Sequence, residues 1–219
     1  GTMTAHAGYG LTSPRTRQRM VERLRGQGIT HERVLSVMAQ VPRHAFIDAH
    51  LASRAYDDVA LPIGLGQTIS QPYTVARMSE LAMQAPSQQK ILEIGTGCGY
   101  QTAVLAQLFK EVYSVERIVS LQTQARHHLR EQNIRNVRLK HADGHLGLSE
   151  AAPYDVILMT AAASHVPDEL MAQLGDGGHL IMPLGADTQA LWVFIRKGDG
   201  WEKNQIEPVK FVPLLAGTI

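Results

Sequence analysis

A short apolar run that enters a cluster of glycines is the feature that most constrains how this chain can fold. The run is Ile91-Leu92-Glu93-Ile94, and Gly95, Gly97 and Gly99 follow it before a helical stretch over 101–108. A strand that runs into glycines and then into a helix is a ligand-binding arrangement of α/β sheets, because glycines let the backbone approach a ligand and the helix start offers free N–H groups. The segment therefore predicts a binding loop at the end of a strand.

Apolar strands and amphipathic helices alternate over the rest of the C-terminal part, at lengths typical of α/β proteins. Further strands are predicted at 112–115, 137–139, 154–159, 179–182, 190–196 and within 205–212, with helices at 120–132 and 167–174. The glycines at 175, 177 and 178 are predicted to end the second helix. The alternation favours a parallel sheet covered by helices on both faces, and the short turn at 198–200 favours an antiparallel hairpin for the last two strands.

The N-terminal part is predicted to be helical on both sides of a long irregular segment. Ser13-Pro14 provides an N-cap and a proline at the first helical position, which predicts a helix over 15–27. Thr30 is predicted to cap a second helix, and a third helix is predicted over 73–85. The connection 43–72 lacks periodicity, and long connections in compact domains are often functional, so it is a candidate substrate loop.

The composition predicts one globular unit after a short tail. Residues 1–12 are small and polar, and we expect them to be a tag remnant and a disordered N-terminus. The 44% hydrophobic content is enough for a full core over residues 13–219. We expect a single domain there, with a helical part over 13–85 and a ligand-binding sheet over 86–219.

Charge disfavours nucleic-acid and membrane partners. The chain has 21 basic and 20 acidic residues, a net charge of +1, whereas both of those partners select clustered positive charge. Arginines at 15, 17, 19, 23 and 25 on the first helix could form a nucleic-acid arm or a targeting segment, but Glu22 interrupts them and a solvated helix face is favoured. No apolar run reaches the roughly 18–20 residues that a bilayer requires, and no signal-peptide segment is evident.

Cys98 is the only cysteine, so an internal disulfide is excluded and a reducing compartment is favoured. A thiol at a helix N-terminus can be reactive, but a small buried filler is the more frequent role. The chain has neither an H-E-x-x-H motif nor clustered Cys and His, so no metal is expected. We expect a cytoplasmic protein, monomeric and without a stable partner.

The glycine spacing argues against a phosphate-binding loop. The pattern is G-x-G-x-G, and Tyr100 stands where a dinucleotide fingerprint would have its third glycine. A Walker loop would require Gly-Lys-Ser/Thr, which is absent. The glycine cluster alone would also fit an ordinary structural turn, so the residues around it have to distinguish a binding loop from such a turn.

Acidic residues stand at the ends of three successive predicted strands. Glu93 precedes the glycines at a position where its carboxylate could face a cation, and Glu116 is placed to accept hydrogen bonds from both hydroxyls of a ribose. Asp143-Gly144 would bring a third carboxylate, suited to the amino group of an adenine. Because carboxyl ends of parallel strands flank one crevice, these acids favour a cationic nucleoside. S-adenosylmethionine is such a molecule.

Longer segments resemble one family, the bacterial protein-L-isoaspartate O-methyltransferases. The resemblance spans residues 34 to about 215, and the glycine loop within it is common to many methyltransferases. Gln67–Pro72 and Phe211–Leu214 are more particular to the family. The matching segments are Val41–Phe46, Tyr56–Asp58, Leu61–Gly64, Gly66–Pro72, Leu92–Ala103, Val115–Arg117, Asp143–Gly144, Thr160–Ala162, Leu174–Gly178, Pro183–Gly185 and Phe211–Leu214.

The resemblance implies a fold and an activity. The fold is α/β, a doubly wound, mostly parallel sheet of the class I S-adenosylmethionine methyltransferase type, with an antiparallel C-terminal hairpin and N-terminal helices. The activity is transfer of a methyl group from S-adenosylmethionine to the free α-carboxylate of L-isoaspartyl residues in damaged proteins, which starts repair through a succinimide. Damaged proteins and peptides would then be the partners, as substrates.

The acids, the loop and the resemblance together give the candidate site residues. Ser70 is the candidate catalytic residue. Candidates for cofactor binding are Glu93, Gly95, Thr96, Gly97, Gly99, Glu116, Arg117, Asp143, Gly144 and Thr160, and candidates for substrate binding are Gln67, Thr68, Ile69, Ser70, Val212, Pro213 and Leu214. Two residues depart from the family's usual pattern: Cys98 stands where serine is common, and His145 where an aromatic residue is common.

The chemistry implied here needs alignment rather than acid–base catalysis. A carboxylate is already a nucleophile at neutral pH, so we expect Ser70 to orient it and not to act as a nucleophile. Orientation can supply roughly 7–11 kcal/mol in favourable cases. A Ser-His-Asp triad is disfavoured because no G-x-S-x-G elbow is present. Two alternatives stay open: a methyltransferase for RNA or a small molecule, and a non-catalytic nucleoside-binding module.

Overall fold

The computed structural model describes residues 10–219. Most of the tail that we predicted to be disordered lies outside the described residues. Gly10–Thr12, however, form a 3-10 helix, so the prediction was wrong for these three positions: Ser13 N and the Thr16 hydroxyl both donate to Gly10 O, at 3.1 and 2.7 Å. In the described part of the chain, no helix is long and apolar enough to cross a membrane.

The secondary structure follows the predicted order, with shifted boundaries. The helices are α1 (Pro14–Gly26), α2 (Glu32–Gln40), α3 (Pro72–Ala82), α4 (Tyr100–Ala106), α5 (Val119–Glu131) and α6 (Asp168–Ala172). The strands are β1 (Leu61–Gly64), β2 (Gln67–Ile69), β3 (Lys90–Ile94), β4 (Glu111–Glu116), β5 (Val137–His141), β6 (Tyr154–Met159), β7 (Leu174–Gly185), β8 (Gln189–Lys197) and β9 (Gly200–Val209). Further 3-10 helices cover Arg43–Phe46, Ala49–Arg54, Gly144–Leu146 and Ser149–Ala151.

Seven strands form one sheet in the order β5-β4-β3-β6-β7-β8-β9. The pairs from β5 to β7 are parallel, whereas β7–β8 and β8–β9 are antiparallel, which confirms the mostly parallel sheet and the C-terminal hairpin. The strand order reverses direction at β3, which lies between β4 and β6. Ligands of open α/β sheets bind outside the carboxyl ends of the strands at such a switch point.

Both faces of the sheet are buried. Ile91 of β3 belongs to the apolar cluster that contains residues of α1 to α4, while Leu92 and Ile94 belong to the cluster that contains Leu170 of α6. Successive side chains of a strand point to opposite faces, so this alternation fixes which side of the sheet each residue of β3 meets. Glu93 therefore lies on the same side as Ile91.

The N-terminal helices pack against each other and against the loop region that follows them. Ser13 caps α1 as predicted, its hydroxyl accepting from Thr16 N at 3.2 Å. The α1 arginines are not all a solvated face, because Arg17 and Arg23 donate to the carbonyl oxygens of Gln40 and Tyr56. These bonds tie α1 to neighbouring segments.

Helix α2 is capped by His31, not by the predicted Thr30. The His31 ring nitrogen accepts from Val34 N at 3.3 Å. The N–H groups of Thr30 and His31 instead donate to the Glu80 carboxylate of α3, at 2.8 and 3.0 Å. The segment before α2 is thus held both by the local His31 cap and by a contact with α3.

Two further predictions were wrong in detail. The irregular connection 43–72 contains two 3-10 helices and the antiparallel hairpin β1–β2, whose elements are too short to give a periodic signal. The glycines at 175, 177 and 178 do not end a helix but lie inside β7. They occupy a stretch where the register with β6 shifts between Tyr154 and Val156, and backbone pairing to β6 there overrides the helix-stop signal.

Candidate active site

An open cavity of about 1160 Å³, including space open to solvent, lies at the carboxyl ends of β3, β4 and β6. Most of the predicted site residues line it: Gln67, Thr68, Ile69, Ser70, Gly95, Thr96, Gly97, Glu116, Arg117, Gly144, Thr160, Val212, Pro213 and Leu214. Segments far apart in the sequence therefore meet at the place that the strand order indicates.

The glycine loop starts at a position that accepts no side chain. Gly95 has φ of +100°, and a Cβ on it would collide with the Thr160 hydroxyl. Thr160 follows β6, and its hydroxyl lies 2.7 Å from Gly95 O and 3.0 Å from Ile94 O. On the other side, Gly95 N donates to Val115 O at 2.9 Å. The loop is held between the ends of β4 and β6, the two strands on either side of β3, and it lines the cavity.

Glu116 joins the glycine loop to the turn after β4. Its Oε1 accepts from Gly97 N at 2.9 Å and its Oε2 accepts from Ile118 N at 3.0 Å. The residue is 6% exposed and lines the cavity. Because a carboxylate oxygen has more than one lone pair, both oxygens can still accept from a ligand. The arrangement suits two adjacent hydroxyl groups.

Glu93 does not line the cavity, which corrects its assignment to cofactor binding. It is 0% exposed, and its Oε1 accepts from the hydroxyls of Thr102 and Ser114, the latter at 2.6 Å. The cause is strand alternation: Glu93 points to the face that α4 covers, beneath the loop, whereas the loop itself opens at the strand end. Ser114 also lies 2.6 Å from the Thr96 hydroxyl, so Glu93 supports the loop from below.

Burial raises the pKa of Glu93 to about 8, despite the hydrogen bonds from Ser114 and Thr102 that act to lower it. The unfolded carboxyl titrates near its ordinary value of about 4.3. Between those two pH values the folded protein keeps a proton that the unfolded chain has released, so the free energy of unfolding falls as pH rises.

Replacing Glu93 with Gln should remove this loss of stability. Urea unfolding curves from about pH 5 to about pH 8 should show that the free energy of unfolding of the variant increases relative to that of the unmodified protein as pH rises. Glu111→Gln, at the exposed start of β4, is the matched control and should leave the pH dependence unchanged. Parallel pH curves for the Glu93 variant and the unmodified protein would contradict the assignment.

Two more predicted cofactor residues lie outside the cavity lining. Gly99 precedes α4 with φ of +90°, and a Cβ on it would lie 3.3 Å from the Ala125 Cβ, so it allows the loop to pack against α5.

Asp143 accepts from His145 N and Nδ1, both at 2.9 Å, and from Gly217 N at 2.8 Å. Burial acts to raise the pKa of Asp143, but these bonds outweigh it and the pKa is lowered. Its carboxylate ties the C-terminal segment to the turn after β5.

Ser70 lies between β2 and α3 and also lines the cavity. Ile69 pairs with Leu61 in the hairpin, and α3 begins at Pro72, directly after the N-cap Gln71. The Ser70 carbonyl accepts from Arg43 Nη1 at 2.7 Å. The backbone of Ser70 is thus fixed from both chain directions and from a third segment.

The segment 212–214 is bound to the chain after β6. Val212 O accepts from Ala162 N at 2.8 Å, and Leu214 N donates to Ala162 O at 2.7 Å. The Gln189 side chain binds the backbone of Phe211, which precedes this segment. Phe211 N donates to Gln189 Oε1 at 2.8 Å, and Gln189 Nε2 donates to Phe211 O at 3.0 Å. The segment therefore lies extended along one side of the cavity.

Sequence reasoning missed several lining residues. Thr74 and Gln101 lie in the first turns of α3 and α4 and contribute polar groups, and Lys210 contributes a cation. A polar residue in the first turn of a helix after a binding loop is a signal that could have identified Gln101.

Cys98 also lines the cavity, yet it is 4% exposed and burial raises its pKa to about 11, as expected for a filler. Within residues 10–219, no group of three His, Cys, Asp or Glu side chains is placed to hold a metal ion.

Comparison with known proteins agrees with this geometry. A protein-L-isoaspartate O-methyltransferase 1 from Marinobacter nauticus is 59% identical over 218 residues, 99% of this chain and 100% of that protein. A protein-L-isoaspartate O-methyltransferase from Chromobacterium violaceum is 57% identical over 209 residues, 95% and 94% of the two chains.

Among solved structures, a protein-L-isoaspartate O-methyltransferase from Plasmodium falciparum in complex with S-adenosyl-L-homocysteine superposes with a TM-score of 0.80. It is 26% identical, over 91% of this chain and 98% of that one. The family model of the protein-L-isoaspartate (D-aspartate) O-methyltransferases matches residues 15–218. The chain therefore belongs to the protein-L-isoaspartate (D-aspartate) O-methyltransferase family.

Proposed function

We propose that this chain transfers a methyl group from S-adenosylmethionine to the free α-carboxylate of L-isoaspartyl residues in damaged proteins, and that the ester then closes to a succinimide. One observation carries the proposal beyond family membership. Ser70 and the segment 212–214 line the same cavity as the glycine loop and Glu116, so an acceptor wall and a cofactor wall share one opening.

The residues of the cofactor wall fit a nucleoside cofactor. When bound, S-adenosylmethionine supplies a methyl group on a sulfonium, which is a good leaving group. Glu116 would accept hydrogen bonds from the two ribose hydroxyls with the lone pairs that Gly97 N and Ile118 N leave free. Gly95 and Thr96 would present backbone to the amino-acid end, and a side chain at 95 would collide with the Thr160 hydroxyl that holds the loop.

On the acceptor wall, Ser70 would orient the isoaspartyl carboxylate. A hydroxyl donates one hydrogen bond and leaves the carboxylate its charge, which a lysine in the same place would neutralise more strongly. No proton has to be removed, since the carboxylate is already ionised at neutral pH. The buried Glu93 is therefore not required as a base, in agreement with its position away from the cavity.

The segment 212–214 would hold the substrate backbone. Its hydrogen bonds to Ala162 keep it extended, and an extended segment at a cavity edge can pair with a peptide laid beside it. An isoaspartyl residue carries its backbone through the side-chain carboxyl, which leaves the α-carboxylate free to enter the cavity. A normal aspartyl residue has no such free α-carboxylate.

The later steps need no group from the protein. The backbone N of the residue after the isoaspartyl attacks the ester carbonyl, its proton leaves with the methoxide as methanol, and a succinimide ring results. Hydrolysis of the ring returns some normal aspartyl residues.

A pair of peptides tests the proposal. One contains an L-isoaspartyl residue and the other the normal aspartyl residue in the same sequence, and both are incubated with methyl-labelled S-adenosylmethionine. We expect label in the isoaspartyl peptide alone. Equal labelling of both peptides, or label only in RNA or a small-molecule acceptor, would favour the alternative methyltransferases, and cofactor binding without any turnover would favour a binding module.

A further inference from the structure

Arg43 is a buried cation that the proposed reaction does not use. It is 0% exposed and among the largest fully buried side chains in the described part of the chain. Its guanidinium donates to three carbonyl oxygens: Nε to Ala55 at 2.5 Å, Nη1 to Ser70 at 2.7 Å and Nη2 to Val59 at 3.1 Å. Burial of the guanidinium lowers the pKa of Arg43, so the charge is costly to bury at this site, and its three hydrogen bonds offset that cost.

The three carbonyl groups belong to one stretch of chain that ends at the acceptor wall. Ala55 follows a 3-10 helix, Val59 precedes β1, and Ser70 follows β2. A planar guanidinium can donate in three directions at fixed angles, which a lysine ammonium cannot do in the same plane. Arg43 therefore fixes the chain before β1 and the chain after β2 relative to each other.

Arg43 also touches the cofactor wall. Its Cζ lies 5.4 Å from the centre of the Tyr100 ring, and Tyr100 is the first residue of α4, directly after the glycine loop. A guanidinium over an aromatic face is attracted to it, and more strongly when both are removed from water. Tyr100 is 1% exposed. One side chain thus contacts the backbone of Ser70 and the helix that carries the loop.

We propose that Arg43 is a positioning residue that sets the distance between the Ser70 wall and the glycine-loop wall, through the Ser70 carbonyl and the Tyr100 ring. The inference rests on the proposed function, because it assigns Ser70 the orienting role there. A residue of this kind changes turnover through Ser70 and leaves the cofactor contacts of Glu116 in place.

The test is a double-mutant cycle between Arg43→Lys and Ser70→Ala on the full chain. Arg43→Lys should lower kcat with an isoaspartyl peptide by about tenfold, while the affinity for S-adenosylhomocysteine, measured by calorimetry, changes by less than about twofold. In the Ser70→Ala background the same change should cost less than about twofold. Equal fold-losses in both backgrounds would overturn the proposal, as would equal losses of kcat and cofactor affinity.

A second pair of variants keeps the test decisive if Arg43→Lys fails to fold. Tyr100→Leu removes the ring under the guanidinium but leaves the charge bonded to its three carbonyl groups, and its loss of kcat should also shrink in the Ser70→Ala background. Tyr100→Phe keeps the ring and should lose less than Tyr100→Leu. Equal losses for these two variants, or an additive cycle, would overturn the proposal. Turnover of the unmodified protein on the isoaspartyl peptide separately tests the proposed function.

Discussion

Replacing Ser70 with alanine is expected to lower kcat for isoaspartyl methylation by about 100-fold, because a misplacement of about 1 Å in a reaction that depends on alignment can cost that much. Affinity for the cofactor should change by less than about twofold, since the orienting role has Ser70 bind the acceptor and not the cofactor. Steady-state turnover with an isoaspartyl peptide gives the first quantity, and calorimetry with S-adenosylhomocysteine gives the second.

The control for this variant is Ser149→Ala, which removes an exposed hydroxyl in a 3-10 helix outside the cavity lining. Its kcat should match that of the unmodified protein. If Ser70→Ala lost cofactor affinity as strongly as it lost kcat, Ser70 would be a cofactor ligand or a structural residue, and the orienting role would be wrong.

Replacing Glu116 with alanine is expected to have the opposite profile. Two charged hydrogen bonds to ribose hydroxyls would be lost, along with those that Glu116 accepts from Gly97 N and Ile118 N. Hydrogen bonds to a charged group contribute about 1.5–3 kcal/mol each, so the loss of two should lower cofactor affinity by at least about 100-fold. Calorimetry with S-adenosylhomocysteine measures the loss, and turnover at saturating cofactor should be less affected.

The glutamine variant sharpens this test. In Glu116→Gln one of the two side-chain positions becomes an NH₂ group, which would face the backbone N–H of Gly97 or Ile118 and cannot accept from it. We therefore expect Gln to weaken cofactor binding nearly as much as Ala does. Glu111→Gln, at the exposed start of the same strand, should bind the cofactor normally. Unchanged affinity in Glu116→Gln would show that the carboxylate is not the ligand.

Some strands and turns were predictable from local sequence patterns. The apolar run at 154–159 predicts a strand, and β6 covers Tyr154–Met159. The turn at 198–200 likewise predicts the β8–β9 hairpin. In these segments local pattern and tertiary packing favour the same structure.

Other features depend on contacts that no local pattern contains. The hairpin β1–β2 is short and pairs only with itself, so it has no periodic signal. Glu93 is an acid near a strand end. Whether its side chain reaches the ligand or lies beneath the glycine loop depends on the face of the sheet to which it points. Arg43 lies in one of the segments that resemble the family, but its role depends on three carbonyl groups that come together only in the fold.

The most direct test of the proposed repair reaction is the fate of the label in the isoaspartyl peptide. After transfer from methyl-labelled S-adenosylmethionine, the label should leave as volatile methanol while the peptide mass falls to that of the succinimide, and the aspartyl twin should release none. Label that stays on the peptide after mild base treatment would contradict carboxyl methylation, because a methyl group on nitrogen or carbon is not lost in this way.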